Sequence, residues 1–148
     1  MSLAEQLTNI YLREENWHDT KLSKEDAINY HERIIFSGNC ITVEDGDFLV
    51  GYCEFWRINY EQFGRIICGE RFSALTENIT NGYIAYVANT FIRVDYRNGK
   101  VYKMLRDRFF EANRDCQYFV GEARRKKAGF IKVFNRKDVQ SLTEAQHR

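Results

Sequence analysis

The stretch Thr90–Ala112, TFIRVDYRNGKVYKMLRDRFFEA, constrains the fold more than any other because its periodicity changes midway. Before Asn98 it is a run rich in β-formers. Beyond Gly99 the apolar residues Val101, Met104, Leu105, Phe109 and Ala112 fall at i, i+3, i+4, i+8 and i+11 with charges between them, which predicts an amphipathic helix. Asn98-Gly99 is also a type I′ turn signal, so a hairpin is the alternative. A partner strand would have to keep alternating past Val101, and this sequence does not. Its Leu, Arg, Glu and Ala residues are good helix formers. The favoured reading is strand, loop, helix.

The rest of the chain supplies the partners for that unit. Residues 2–15 predict a first helix, capped by Ser2, with Leu3, Leu7, Ile10 and Tyr11 on one face. The SKED segment, Ser23–Asp26, resembles a capping box and opens a second helix with Ala27, His31, Ile34 and Ile35 as its buried stripe. Ser37–Asn39 ends it. Asp45-Gly46 then joins two strands as a hairpin, Phe48, Val50, Tyr52, Glu54 and Trp56 sharing one face of the second. Residues 61–81 are less regular and read as an insertion or variable loop. Tyr83–Val94 is a long strand, apolar on both faces, as in the middle of a sheet. After the helix come strands at Cys116–Ala123 and Gly129–Phe134, and a polar tail from Asn135. This order predicts a single mixed α/β (α+β) domain over 1–148, with one central sheet flanked by helices. The unit from Tyr83 to Val120 should be a parallel crossover.

Composition narrows the function classes. The 22 basic and 21 acidic side chains leave a net charge of +1, which argues against a dedicated nucleic-acid binder while allowing a local basic patch. No apolar run approaches a membrane-spanning length, and the first residues show no signal-peptide pattern. Cys40, Cys53, Cys68 and Cys116 have no metal-binding spacing, and neither do His18, His31 and His147. The expectation is a cytoplasmic protein with reduced thiols, no metal, no membrane contact, and His31 as a hydrogen-bonded core residue.

The segment TFIRVDYRNGKVYKML resembles the acetyl-CoA-binding segment of the GCN5-related N-acetyltransferase (GNAT) superfamily. There a strand ends in a hydrophobic–x–x–acidic–Tyr–Arg run, and a glycine-containing loop opens a long helix. The resemblance implies a GNAT-like fold and acetyl-CoA as cofactor. It places the main chain of Ile92 beside the pantetheine arm, and Arg97, Asn98, Gly99, Lys100, Val101 and Tyr102 around the diphosphate. Counted from Arg97, the family's two small positions fall on Lys100 and Tyr102, and Gly99 stands one place early. Lys100 adds charge attraction. The KKAGFIKVF segment resembles the family's late Gly-Phe stretch. Amides at a helix N-terminus and the helix dipole suit a diphosphate, and glycine lets its oxygens approach the main chain.

The same resemblance implies acetyl transfer to an amine, with a general base and an acid for the departing thiolate. Glu54, inside the apolar GYCEFW strand, is the base candidate. Tyr118 is the acid candidate, with Tyr96 and Tyr102 nearer the loop. The helix that carries this tyrosine in the family has room for only one turn here. The acceptor would be an amine-bearing small molecule or protein, lying near 61–81. The alternative is a non-catalytic protein of the same fold. Its protein partner would meet the aromatic-rich sheet and the Phe72 loop, or a nucleic acid would meet Arg124, Arg125, Lys126 and Lys127.

Overall fold

The computed structural model describes residues 1–13, 23–70, 82–125 and 128–135, with the main chain alone at 122–125, 128–132 and 134. Five strands form one mixed sheet, in the order β1-β2-β3-β4-β5: β1 (Cys40–Asp45), β2 (Phe48–Ile58), β3 (Ile84–Ile92), β4 (Tyr118–Arg125) and β5 (Ala128–Asn135). Helices flank it, as expected: α1 (Leu3–Arg13), α2 (Lys24–Ser37), α3 (Tyr60–Ile67) and α4 (Lys100–Ala112). Among the described residues, no helix is long and apolar enough to cross a membrane. Two compact units divide the chain, one of Met1–Glu54 with Thr90–Arg108, the other of Phe55–Asn89 with Phe109–Arg148.

In the first unit the local signals act as the sequence predicts. Ser2 accepts from the Glu5 amide at 3.2 Å and Ser23 from the Asp26 amide at 3.1 Å, so both hydroxyls satisfy first-turn donors. Gly38 takes a left-handed φ of 76° and closes α2 through hydrogen bonds to the Ile34 and Ile35 carbonyls. Gly46 at φ 61° turns β1 into β2, which pair antiparallel from Cys40↔Glu54 to Asp45↔Phe48. Leu7 and Ile10 of α1 pack with Leu49 and Tyr52 of β2. Gly51 allows the close approach of α4, since a Cβ there would lie 2.6 Å from Val101 Cγ1 and 3.2 Å from Leu105 Cδ1. From Leu49 to Phe55 every residue of β2 is buried, so this strand is covered on both sides.

The second unit corrects one expectation. Residues 60–67 are helix α3, not loop. Asn59 accepts from the Gln62 amide at 2.8 Å while the Gln62 side chain accepts from the Asn59 amide at 3.1 Å, a reciprocal cap. The remainder of the 61–81 segment through 81, Phe72 included, lies outside the described residues from 71 onward. The two last strands stand where the sequence places them, and β4 and β5 pair antiparallel from Tyr118↔Asn135 to Arg125↔Ala128. Ile58, Ile66, Ile84, Tyr86 and Val120 form the core, with Trp56 and Phe63 packed on it. Arg57 grips Asp115 with two hydrogen bonds, 3.0 and 2.8 Å, and donates to the Gly82 carbonyl at 2.8 Å. The β3–β4 pairing is parallel, as the crossover requires, and runs from Ile84↔Tyr118 to Val87↔Gly121. Beyond it β3 continues to Ile92.

Candidate functional site

The loop that follows β3 is built by Arg93, Arg97 and Asn98 side chains that satisfy main-chain groups, and by one phenol–carboxylate bond. Arg93 leaves the strand with its amide on the Val50 carbonyl (2.9 Å), its Nε on the Leu49 carbonyl (2.5 Å) and its guanidinium 3.9 Å above the Phe48 ring. A single 3₁₀ turn, Val94–Tyr96, redirects the chain. The Tyr96 hydroxyl donates to Asp45 at 2.7 Å, and this bond raises the phenol's pKa. Arg97 Nε donates back to the Ile92 carbonyl at 2.7 Å.

Asn98 and Gly99 then convert the loop into a helix. Asn98 Oδ1 accepts from the Lys100 amide at 3.1 Å. Gly99 adopts φ 91°, where an L side chain is strained, and its carbonyl accepts the first bond of α4 from Lys103 at 3.0 Å. The hairpin alternative is thereby excluded, since 100–112 is helical. The Val101 side chain is buried against the Gly51 position, which fixes the first turn. The amides of Val101 and Tyr102 lie in the first turn, where a helix supplies no acceptor, and they find none among the described residues. A Cβ on Gly99 would meet nothing within 4 Å. Tyr102 is exposed on α4, and Arg97, Lys100 and Lys103 are exposed around the same turn.

These features fit a diphosphate: open space above a positive-φ glycine, two amides without acceptors and three cations. The Lys100 amide is already bonded to Asn98, and the Ile92 carbonyl to Arg97, so neither is available without rearrangement.

Glu54 is built from side chains, not main chain. It is 2% exposed, and each carboxylate oxygen accepts a phenol: Oε1 from Tyr52 at 3.0 Å and Oε2 from Tyr30 at 3.1 Å. Tyr52 is fully buried and Tyr30, on α2, is half-buried. Burial, and then the Glu54 charge, push both phenols above their ordinary pKa. Burial followed by Glu54 likewise lifts the Cys40 thiol to about 11. Cys53 rises to about 12, mainly by burial, against the lowering effect of Thr90. Neither thiol is a thiolate at neutral pH, so neither serves as a nucleophile.

His31 is buried and bonded through Nδ1 to the Thr8 hydroxyl at 2.9 Å, and burial lowers its pKa to about 4. Among the described residues no group of His, Cys, Asp and Glu could hold a metal ion. His18, His147, Lys126 and Lys127 lie outside the described residues, as do the side chains of Arg124 and Arg125.

The structure gathers Ile92, Arg97–Tyr102 and Glu54 in the first unit. Tyr118 belongs to the second. It opens β4 and stacks on Phe63 of α3, centroids 6.3 Å apart and planes at 22°. Sequence reasoning missed Tyr30 and Tyr52 as partners of Glu54. Tyr52 had a signal, since it shares a strand face with Glu54 two residues on. Tyr30 had none, standing 24 residues away on another element.

No family model and no curated protein sequence matches the chain. Solved structures do. The GNAT-like decarboxylase GphF, in complex with isobutyryl-CoA, is 17% identical over 83% of this chain and 62% of its own, with a TM-score of 0.61. The loading GNATL domain of CurA from Lyngbya majuscula is 16% identical over the same shares, with a TM-score of 0.56. The diaminobutyrate acetyltransferase EctA from Paenibacillus lautus, in complex with L-2,4-diaminobutyric acid and coenzyme A, is 11% identical over 97% of this chain and 69% of its own, with a TM-score of 0.52. The chain thus spans 62% of the length of the first two. With a mixed sheet, a β3–loop–α4 unit and these neighbours, the chain has the fold of the GCN5-related N-acetyltransferases.

Proposed function

We propose that the protein is an acyltransferase that moves an acetyl group from acetyl-CoA to an amine. One observation carries this reading: the β3–α4 junction presents the Val101 and Tyr102 amides beside a positive-φ glycine, in the fold whose neighbours hold acyl-CoA or coenzyme A. Those amides would hold the diphosphate, with Arg97, Lys100 and Lys103 supplying charge. Asn98 would order the turn, and the Ile92 main chain would border the pantetheine arm once Arg97 releases its carbonyl. When bound, the coenzyme supplies a thioester carbonyl activated toward nucleophiles.

The chain's own residues handle the proton. The amine nitrogen bonds to the acetyl carbon, the carbon–sulfur bond breaks, and sulfur leaves with the electron pair. The proton lost by nitrogen goes to the Glu54 carboxylate. The departing thiolate takes its proton from solvent, and Tyr118, which the resemblance suggested as donor, belongs to the second unit. The acceptor class, a primary amine on a small molecule or a protein, follows from the reaction. Free thiols at Cys40 and Cys53 with raised pKa values suit a reducing, cytoplasmic setting.

Thermal unfolding with acetyl-CoA tests the reading. A ligand present at a hundred times its Kd should stabilise by about 2.7 kcal/mol. The joint variant Arg97→Ala/Lys100→Ala should raise the Kd by about tenfold, roughly one charged contact in strength. No shift at millimolar acetyl-CoA overturns it.

A further inference from the structure

The acetyl-transfer reading leaves a geometric problem. Glu54 is 2% exposed and cannot itself touch an acceptor. Its two carboxylate oxygens each face a phenol. Of those phenols, Tyr52 is wholly buried, on the β2 face that packs with Leu7 and Ile10 of α1. Tyr30 is half-buried on α2, so of the two phenol residues it is the one with exposed surface. The phenol oxygen of Tyr30 keeps a lone pair after donating its proton to Glu54.

We infer that Tyr30 is a catalytic residue of the proposed reaction, meeting the acceptor amine and relaying its proton to Glu54. The inference rests on the acetyl-transfer reading. As nitrogen bonds to the acetyl carbon, its proton moves to the Tyr30 oxygen while the Tyr30 hydroxyl proton moves to Glu54 Oε2. The phenol ends as it began and the carboxylate ends protonated. Tyr52 holds the other oxygen in place and is a positioning residue.

The surroundings suit this role. The ionisable groups whose charges act on the pair are Tyr11 of α1, Arg33 of α2, Cys40 of β1, and Tyr52 and Cys53 of β2, and the His31 ring meets that of Tyr30 edge-on. Burial holds His31 in its neutral form and both thiols protonated, so none of the three competes with the Glu54 carboxylate as acceptor of the relayed proton. Burial and Glu54 keep the Tyr30 phenol protonated throughout the physiological range, so it is always ready to donate.

Tyr30→Phe and Tyr52→Phe each remove one hydrogen bond to the same carboxylate, so a structural role predicts equal losses of activity. The relay predicts otherwise. Release of coenzyme A from acetyl-CoA should be followed with lysine, 2,4-diaminobutyrate and an alanyl peptide as acceptors. Tyr30→Phe should lower kcat by about 10²-fold, the low end for lost acid–base catalysis, with KM for acetyl-CoA unchanged. Its deficit should shrink as pH rises toward the amine's own pKa. Tyr52→Phe should lose at least about tenfold less. An acceptor-independent readout accompanies this: hydrogen–deuterium exchange of the Glu54 carboxyl, followed in the infrared at acidic pH and assigned with Glu54→Gln. Exchange should slow in Tyr30→Phe more than in Tyr52→Phe.

Equal activities with one pH profile, or equal exchange, overturn the relay and leave the acetyl-transfer reading standing. Wild-type protein that neither binds acetyl-CoA nor releases coenzyme A overturns both.

Discussion

The loop before α4 and the cluster around Glu54 belong to the same unit, yet they are made in opposite ways. The loop works with main chain at the surface. Its key groups are a glycine carbonyl, two first-turn amides and an asparagine that orders the turn. The cluster works with side chains in the interior, where Glu54 is held by phenols from two elements. A change in the loop should therefore alter ligand binding more than stability. A change in the cluster should do the reverse, because a buried polar group that loses its partner is penalised in full.

The sharpest way to break this contrast is Glu54→Ala. It orphans two phenols at about 1–3 kcal/mol each, so urea unfolding should register a loss of about 3 kcal/mol. A loss under about 1 kcal/mol would mean the cluster is not an interior structural unit at all.

Next in size is the pH dependence set by His31, which borders the cluster. Its folded pKa, about 4, lies below the unfolded value, so protons favour the unfolded chain. Its contribution is fully present above about pH 6.5 and is lost as pH falls through about 4, amounting to roughly 3 kcal/mol. Urea midpoints across that window should fall in wild type and flatten in His31→Asn. Equal slopes would remove His31 as the cause.

Gly51→Ala probes the seam between β2 and α4. The new methyl would crowd Val101 Cγ1 and Leu105 Cδ1, both side-chain ends, so the expected loss is about 1–2 kcal/mol. Because Val101 also fixes the first turn of α4, acetyl-CoA affinity should fall with it. Gly99→Ala has open space and only backbone strain to bear, for about 1 kcal/mol. The smallest effect should come from Tyr96→Phe, whose bond to Asp45 is exposed, at under about 0.5 kcal/mol. If Gly99→Ala exceeded Glu54→Ala, the division between surface loop and buried cluster would be the wrong way round.

What could be read from the sequence follows the range of each interaction. The caps at Ser2 and Ser23, the stop at Gly38 and the turn at Gly46 depend on residues within four positions of one another. So does the switch at Gly99 from strand to helix, since period two and period 3.6 are properties of a local run. Helix α3 escaped notice although Tyr60, Phe63, Ile66 and Ile67 stand at helical spacing, because eight residues give only about two turns of pattern and Gly64 interrupts them. Strands β4 and β5 were legible as two β-rich runs, but their antiparallel pairing was not, because the Arg-rich junction near 124–127 carries no turn glycine or asparagine.

The sequence by itself determined the order of elements other than α3, the placement of a helix N-terminus after β3 and the burial of a carboxylate in an apolar strand. Tertiary structure alone decided what that carboxylate touches. Tyr30 reaches Glu54 because α2 packs over β2, and no periodicity along the chain encodes a contact between residues 24 apart on different elements. It also decided which loop groups are spent, since the bond from Arg97 to the Ile92 carbonyl and the buried seat of Val101 at Gly51 arise only once the chain has closed on itself.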